Sequence, residues 1–180
     1  WFGALLELAS EAHRREYAGD YLQRPSGASR WQLPQPLVDR LLEHPLTWLD
    51  LERASLVASV RQAAAAGLAE HAWDLALNAV TLFEAHGYFS DWRETHELAL
   101  KAAKRAGDDW GEAAMRYSLG SLHMFEQRTK DSALEFEQAY AAYQRLADRH
   151  GAALVLRNMA FLDHMNGDLE SALSRWEEAL

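Results

Sequence analysis

Residues 118–140 read SLGSLHMFEQRTKDSALEFEQAY, in which Gly120, Ser132, Phe136 and Ala139 set small, small, aromatic and small side chains at fixed offsets. Forty residues on, Ala160, Ala172, Trp176 and Ala179 keep every spacing. Forty residues back, Val80, Trp92, His96 and Ala99 keep the closing alanine but loosen the two small sites, so the earliest copy is the most diverged. The glycines keep the same beat: Gly67, Gly87 and Gly107 fall twenty apart, and Gly167 falls sixty after Gly107. Two antiparallel helices approach closely only where a small residue meets the neighbour. Gly120 with Ser132, and Ala160 with Ala172, are therefore expected at crossings within successive helix pairs, with Phe136 and Trp176 filling the gaps between pairs. The fold class that follows is all-α, a solenoid of antiparallel helix pairs with repeats of about 40 residues.

The rest of the chain fits that class. Proline is absent after Pro45, and Leu, Ala, Glu, Arg and Gln dominate, which favours helix. Thr47 with Asp50 is expected to cap one helix running from 46 to 66, ended by Gly67. Further helices are expected over 71–85, 91–106, 110–125, 131–149 and 152–165, with a last one from about Asp168. Asp109 and Glu112 form a second capping-box candidate. Residues 1–45 differ: an amphipathic helix over 2–22, an irregular stretch QRPSGASRWQLPQP with three of the four prolines, and a short helix LVDRLLEH stopped by Pro45. This lead-in is expected to cap the repeats of 46–180, because a terminal unit must cover an apolar face.

Composition excludes several functions. With 27 acidic against 18 basic residues and a net charge of -9, the segment is a poor partner for a phosphate backbone, so direct nucleic-acid binding is not expected. The absence of cysteine removes disulfides and thiolate zinc sites and suits a reducing cytoplasm, where the protein is expected. No apolar run approaches the roughly 20 residues of a membrane span. Trp1 and the closing EEAL both read as cuts in a longer polypeptide.

Catalysis finds no foothold. THELAL at 95–100 opens like a zinc-binding helix but has no second histidine four residues after His96. Asp163 and His164 are adjacent on a helix and point different ways. His123 stands where Phe83 stands one period earlier, a bulky structural site. No glycine-rich phosphate loop ending in Lys-Ser or Lys-Thr is present. No enzyme activity, cofactor or metal is expected.

The pairs Leu119-Gly120 with Ser132, Phe136 and Ala139, and Met159-Ala160 with Ala172, Trp176 and Ala179, resemble the tetratricopeptide repeat. Arg116 and Leu156 stand where that repeat carries an early tryptophan, and the closing proline is missing. The resemblance implies a right-handed solenoid. WLDLERASLVASVRQAAAAG at 48–67 and the run from His71 to Asp108 resemble, more specifically, the C-terminal repeat region of large actinobacterial regulators of the antibiotic-regulatory-protein type, which are signalling (STAND) ATPases. That resemblance implies a non-catalytic interaction arm, with DNA-binding and nucleotide-switch domains upstream.

In such solenoids the first helix of each pair lines the concave face. The positions that project there are Tyr117, Ser121, Met124 and Phe125 around Gly120, Arg157, Phe161, His164 and Met165 around Ala160, and Leu77, Thr81, Glu84 and Ala85 around Val80. Asn78 and Asn158 sit two before the small site, where a peptide backbone could be held. The expected partner is a protein segment, or a second copy in a homodimer, given seven tryptophans and apolar solenoid ends. The alternative is a sensor that encloses an apolar small molecule on the same face.

Overall fold

The rhythm of the chain is set at its turns. The computed structural model describes residues 1–17 and 26–179, and every regular element among them is helical. They are α1 Phe2–Tyr17, α2 Gln35–Leu41, α3 Pro45–Leu51, α4 Arg53–Ala65, α5 Ala69–His86, α6 Phe89–Ala106, α7 Asp109–Phe125, α8 Thr129–Arg145, α9 Arg149–Met165 and α10 Leu169–Glu178. From α5 onward each helix starts twenty residues after the last. The turns repeat with the same interval, because Gly67, Gly87, Gly107, Gln127, Ala147 and Gly167 all adopt positive φ. A left-handed residue just past a helix end swings the next amide back onto the last turn. Thus the amide of Arg128 donates to the His123 carbonyl at 2.8 Å and that of Asp148 to Tyr143 at 3.0 Å. Gln127 at φ 59° and Ala147 at φ 53° do this without glycine, at a conformational cost of about 1–2 kcal/mol each.

Four local expectations are corrected. The helix expected over 46–66 is two helices, because Glu52 leaves helical geometry at φ −90°, ψ 4° between α3 and α4. Thr47 lies inside α3, whose N-cap is His44 followed by Pro45, a residue suited to a position that needs no amide proton. The cap of α7 is Asp108 rather than Asp109, its carboxylate accepting from the Gly111 amide at 2.9 Å. Asp148 and Asp168 repeat that cap on Gly151 and Ser171. Finally α8 stops at Arg145, not at Arg149, because Ala147 turns left-handed. The expected extension of α1 to Leu22 lies outside the described residues.

The contacts divide the chain into two compact units, Trp1–Gly107 and Asp108–Leu180. In the first, α4 packs on α5 and α6, α5 on α6, and α1 lies across α5 and α3. Leu49, Leu56, Val60, Leu75, Leu82, Phe83 and Trp92 are fully buried there, each contributing about 1.5–3 kcal/mol by leaving water. Arg53 bonds Asp91 at 2.6 Å and Arg61 bonds Glu94 at 2.5 Å, tying α4 to α6.

In the second unit α7, α8, α9 and α10 pack consecutively, and α7 also touches α9. Gly120 meets the partner helix as its size requires: a Cβ there would lie 2.6 Å from the Phe136 ring, and Ser132 Oγ donates to the Gly120 carbonyl at 2.8 Å. Nearer the start of α7, Arg116 reaches Glu135 farther along α8 at 2.8 Å, so the two helices run antiparallel. Phe136 was expected between pairs, but it fills the inside of this one, against Gly120 and 6.0 Å from the Tyr117 ring. The contact between pairs belongs to Tyr143, whose ring abuts Gly151 of α9 where a Cβ would sit 2.6 Å away. Ala160 and Ala172 are fully buried in the α9/α10 pair, while Trp176 stays 37% exposed beside His164.

Candidate functional site

Each helix that opens a pair presents one stripe of residues, at intervals of three and four, to the side opposite its partner. On α5 the stripe is Asp74, Leu77, Asn78, Thr81 and Glu84, and it is covered. α1 turns Leu5, Leu6, Ala9, Ala12 and His13 inward, an amphipathic spacing, and seals the contact with polar groups. His13 Nδ1 bonds the Thr81 hydroxyl, and Tyr17 donates to Glu84. Asp74 accepts from Ser26, from Arg30 at 2.7 Å and from Asn78 at 2.8 Å. Burial depresses the His13 pKa to about 4, so the ring is neutral at neutral pH. Asn78 therefore serves to hold a buried carboxylate beneath the lead-in, and Leu77 and Thr81 are buried with it.

The matching stripe is buried or half-buried on α7 and largely open on α9. Tyr117 is buried at 6% exposure, and its hydroxyl accepts from Asn158 Nδ2 at 3.3 Å. Asn158 also donates to Ser121 Oγ at 3.3 Å, so these three residues lock the two helices side by side. Ser121 and Met124 are half-buried, whereas Arg157 and His164 are exposed. Phe125, Phe161 and Met165 are 44%, 46% and 55% exposed, a high fraction for aromatic and thioether side chains. Of the fourteen residues singled out in the sequence, nine thus belong to this pair of helices, and Leu77, Asn78, Thr81, Glu84 and Ala85 belong to α5.

Two features carried no usable sequence signal. Asp74 gains two of its three donors, Ser26 and Arg30, only because a distant lead-in folds over it. Tyr143 is fully buried with no partner for its hydroxyl, and burial pushes its pKa well up. It lines a cavity of about 770 Å³ with Tyr140, Asp148, His150, Leu156 and Glu178, which includes none of the residues singled out in the sequence.

Several titratable groups are taken up by packing and ion pairs. His96 is fully buried at the register position of Phe136, bonds the Trp92 carbonyl through Nδ1 at 2.9 Å, and leaves Nε2 without a partner. Burial lowers its pKa to about 3. Asp163 accepts from Arg175 at 2.5 Å while His164 faces Trp176. Among the described residues no group of three or more His, Asp or Glu could hold a metal ion, and no helix is long and apolar enough to cross a membrane.

The chain is 32% identical over 97 residues to the regulatory protein AfsR of Streptomyces griseus, a match covering 54% of this chain and 10% of that protein. This chain thus spans about a tenth of the relative it matches. No family model matches it, and no solved structure matches it.

Proposed function

We propose that this chain is a non-catalytic interaction module of a cytoplasmic transcriptional regulator, which binds a protein segment on the α7/α9 stripe. In this reading the helices form a right-handed, tetratricopeptide-like solenoid with repeats of about 40 residues, and the module serves a STAND-type switch elsewhere in the protein. The likeness to AfsR supports a regulatory setting. The observation that carries the site is the open stripe itself: Phe161 and Met165 are about half exposed beside Ser121 and Asn158, which offer hydrogen bonds. Exposed aromatic and methionine side chains rimmed by polar groups are the usual material of a protein-binding surface. Self-association is part of the proposal, because Leu169 and Leu173 are 57% and 58% exposed on α10.

The test is a variant carrying Arg157→Ala, Phe161→Ala and His164→Ala. Tyr117 is left intact because it supports Phe136. Pull-down of partner proteins is expected to fail with the variant while its helical circular dichroism is unchanged. Light scattering on both proteins should report a dimer. Undiminished capture by the folded variant, or a monomer at high concentration, would refute the corresponding part.

A further inference from the structure

The face that α1 covers on α5 is unusual material for a permanent contact. Four of its five stripe residues, Asp74, Asn78, Thr81 and Glu84, are polar, and Leu77 is the exception. The rest of the helix interior is apolar, with Leu75, Ala76, Ala79, Leu82 and Phe83 fully buried. A polar group that exchanges water for a protein partner gains little, and water takes its bonds back when the partner leaves. Apolar core positions have no such exchange. The stripe under α1 can therefore be uncovered and covered again, whereas the core of the same helix cannot.

α1 meets this face as a guest would. Among its buried residues only Leu5 and Leu6 are large and apolar, and the others are Ala9, Ala12 and His13. Its outward side bonds within itself, Glu11 pairing with Arg14 at 2.7 Å and with Arg15 at 2.8 Å. Pairs at these spacings support a helix without help from a neighbour. The stripe is acidic through Asp74 and Glu84, and the lead-in meets those carboxylates with hydroxyl and guanidinium donors: Ser26 and Arg30 on Asp74, Tyr17 on Glu84.

We infer that α1 is a displaceable occupant of a helix-binding face on α5, which opens when an amphipathic helix of another protein takes its place. That helix carries small apolar residues inward at intervals of three and four, as α1 does, and hydroxyl or basic donors where it passes Asp74 and Glu84. Neither α7 nor α9 takes part, so this face is a second one, additional to the stripe proposed above. The chain holds its own competitor: while α1 is seated, a guest binds only in proportion to the fraction of molecules in which it has left. An extended peptide is a poorer match, because the α1 contact buries side chains at helical spacing and leaves the guest's backbone bonded to itself.

A fluorescent synthetic peptide with the sequence of residues 1–17 stands in for the guest and is titrated with the full chain by anisotropy. The wild-type chain should bind it weakly, because the resident α1 competes. Tyr17→Phe in the chain removes the bond to Glu84 from the resident alone and should tighten peptide binding by about tenfold, the equivalent of one hydrogen bond to a charged group. Hydrogen exchange should show the resident α1 amides losing protection as the peptide binds, while those of α4, α5 and α6 keep theirs. Peptides carrying Leu6→Asp or Tyr17→Glu should bind at least about tenfold more weakly than the parent peptide. Four results overturn the inference: no binding to the Tyr17→Phe chain, binding there no tighter than to the wild type, a resident α1 that stays protected in the complex, or an altered peptide that binds as well as the parent.

Discussion

In the α7/α8 pair a glycine faces a phenylalanine, and the α7 stripe meets Asn158 of α9. In the α5/α6 pair the same register positions hold Val80 and His96, both buried, and the stripe lies under α1. The backbone plan is common to both, yet one crossing is closed by an aromatic ring in a glycine notch and the other by a buried imidazole. The difference teaches that register and chemistry are separable in this fold. The spacing of small and large sites is set by where helices cross, while the residue at each site answers to its own surroundings. An uncharged imidazole can replace a phenyl ring inside a helix pair, but it brings a proton equilibrium with it.

The sharpest way to break the comparison is at the notch. Phe136→Ala should cost about 3–5 kcal/mol, the range for emptying a buried aromatic site. Gly120→Leu should cost roughly 1–3 kcal/mol by overpacking, because even its Cβ would lie 2.6 Å from the ring. Urea denaturation midpoints check both. Equal stability of Gly120→Leu and the wild type would mean that the notch is not a close crossing.

A smaller effect separates the pairs by pH. His96 and His13 have pKa values lowered to about 3 and about 4 by burial. In the unfolded chain both titrate near their ordinary value of about 6.5. Between about pH 6.5 and pH 4 the unfolded state therefore binds more protons than the folded one, and stability falls as pH falls. Each histidine contributes a slope of about 1.4 kcal/mol per pH unit in that window, with His96 continuing to about pH 3. His96→Phe, which installs the α8 solution in α6, should flatten part of this decline. Thermal melts of both proteins from pH 7 to pH 4.5 would show it, and parallel curves would exclude His96 as a source of acid lability.

The smallest effect lies at the turns. Four of the six left-handed positions are glycine, and Gln127 and Ala147 are the exceptions. Ala147→Gly and Gln127→Gly should each stabilise by about 0.5–1 kcal/mol, the relief of left-handed strain less the extra entropy of glycine in the unfolded chain. A lower melting temperature in either variant would show that the side chain offsets the strain.

The forty-residue spacing of Gly120, Ser132, Phe136 and Ala139 was enough to place helices α5 to α10, because the size of a side chain at a crossing is a local demand that a sequence displays directly. The helix stops at Gly67, Gly87, Gly107 and Gly167 were legible for the same reason: only glycine adopts that conformation without strain. Gln127 and Ala147 were not, since there the next helix's packing imposes the turn on residues that do not announce it. Nor could the sequence say that Phe136 lies within its pair, because an aromatic at fixed spacing satisfies either side of a helix equally well. The stripe of Arg157, Phe161 and His164 followed from periodicity, yet periodicity assigned Asn78 and Thr81 to the same kind of surface. What separated them was α1, which reaches α5 across some 68 residues of chain to set His13 against Thr81. Whether a helical face is covered or open depends on which distant segment finds it, and that is decided by the free energy of tertiary packing rather than by any local pattern.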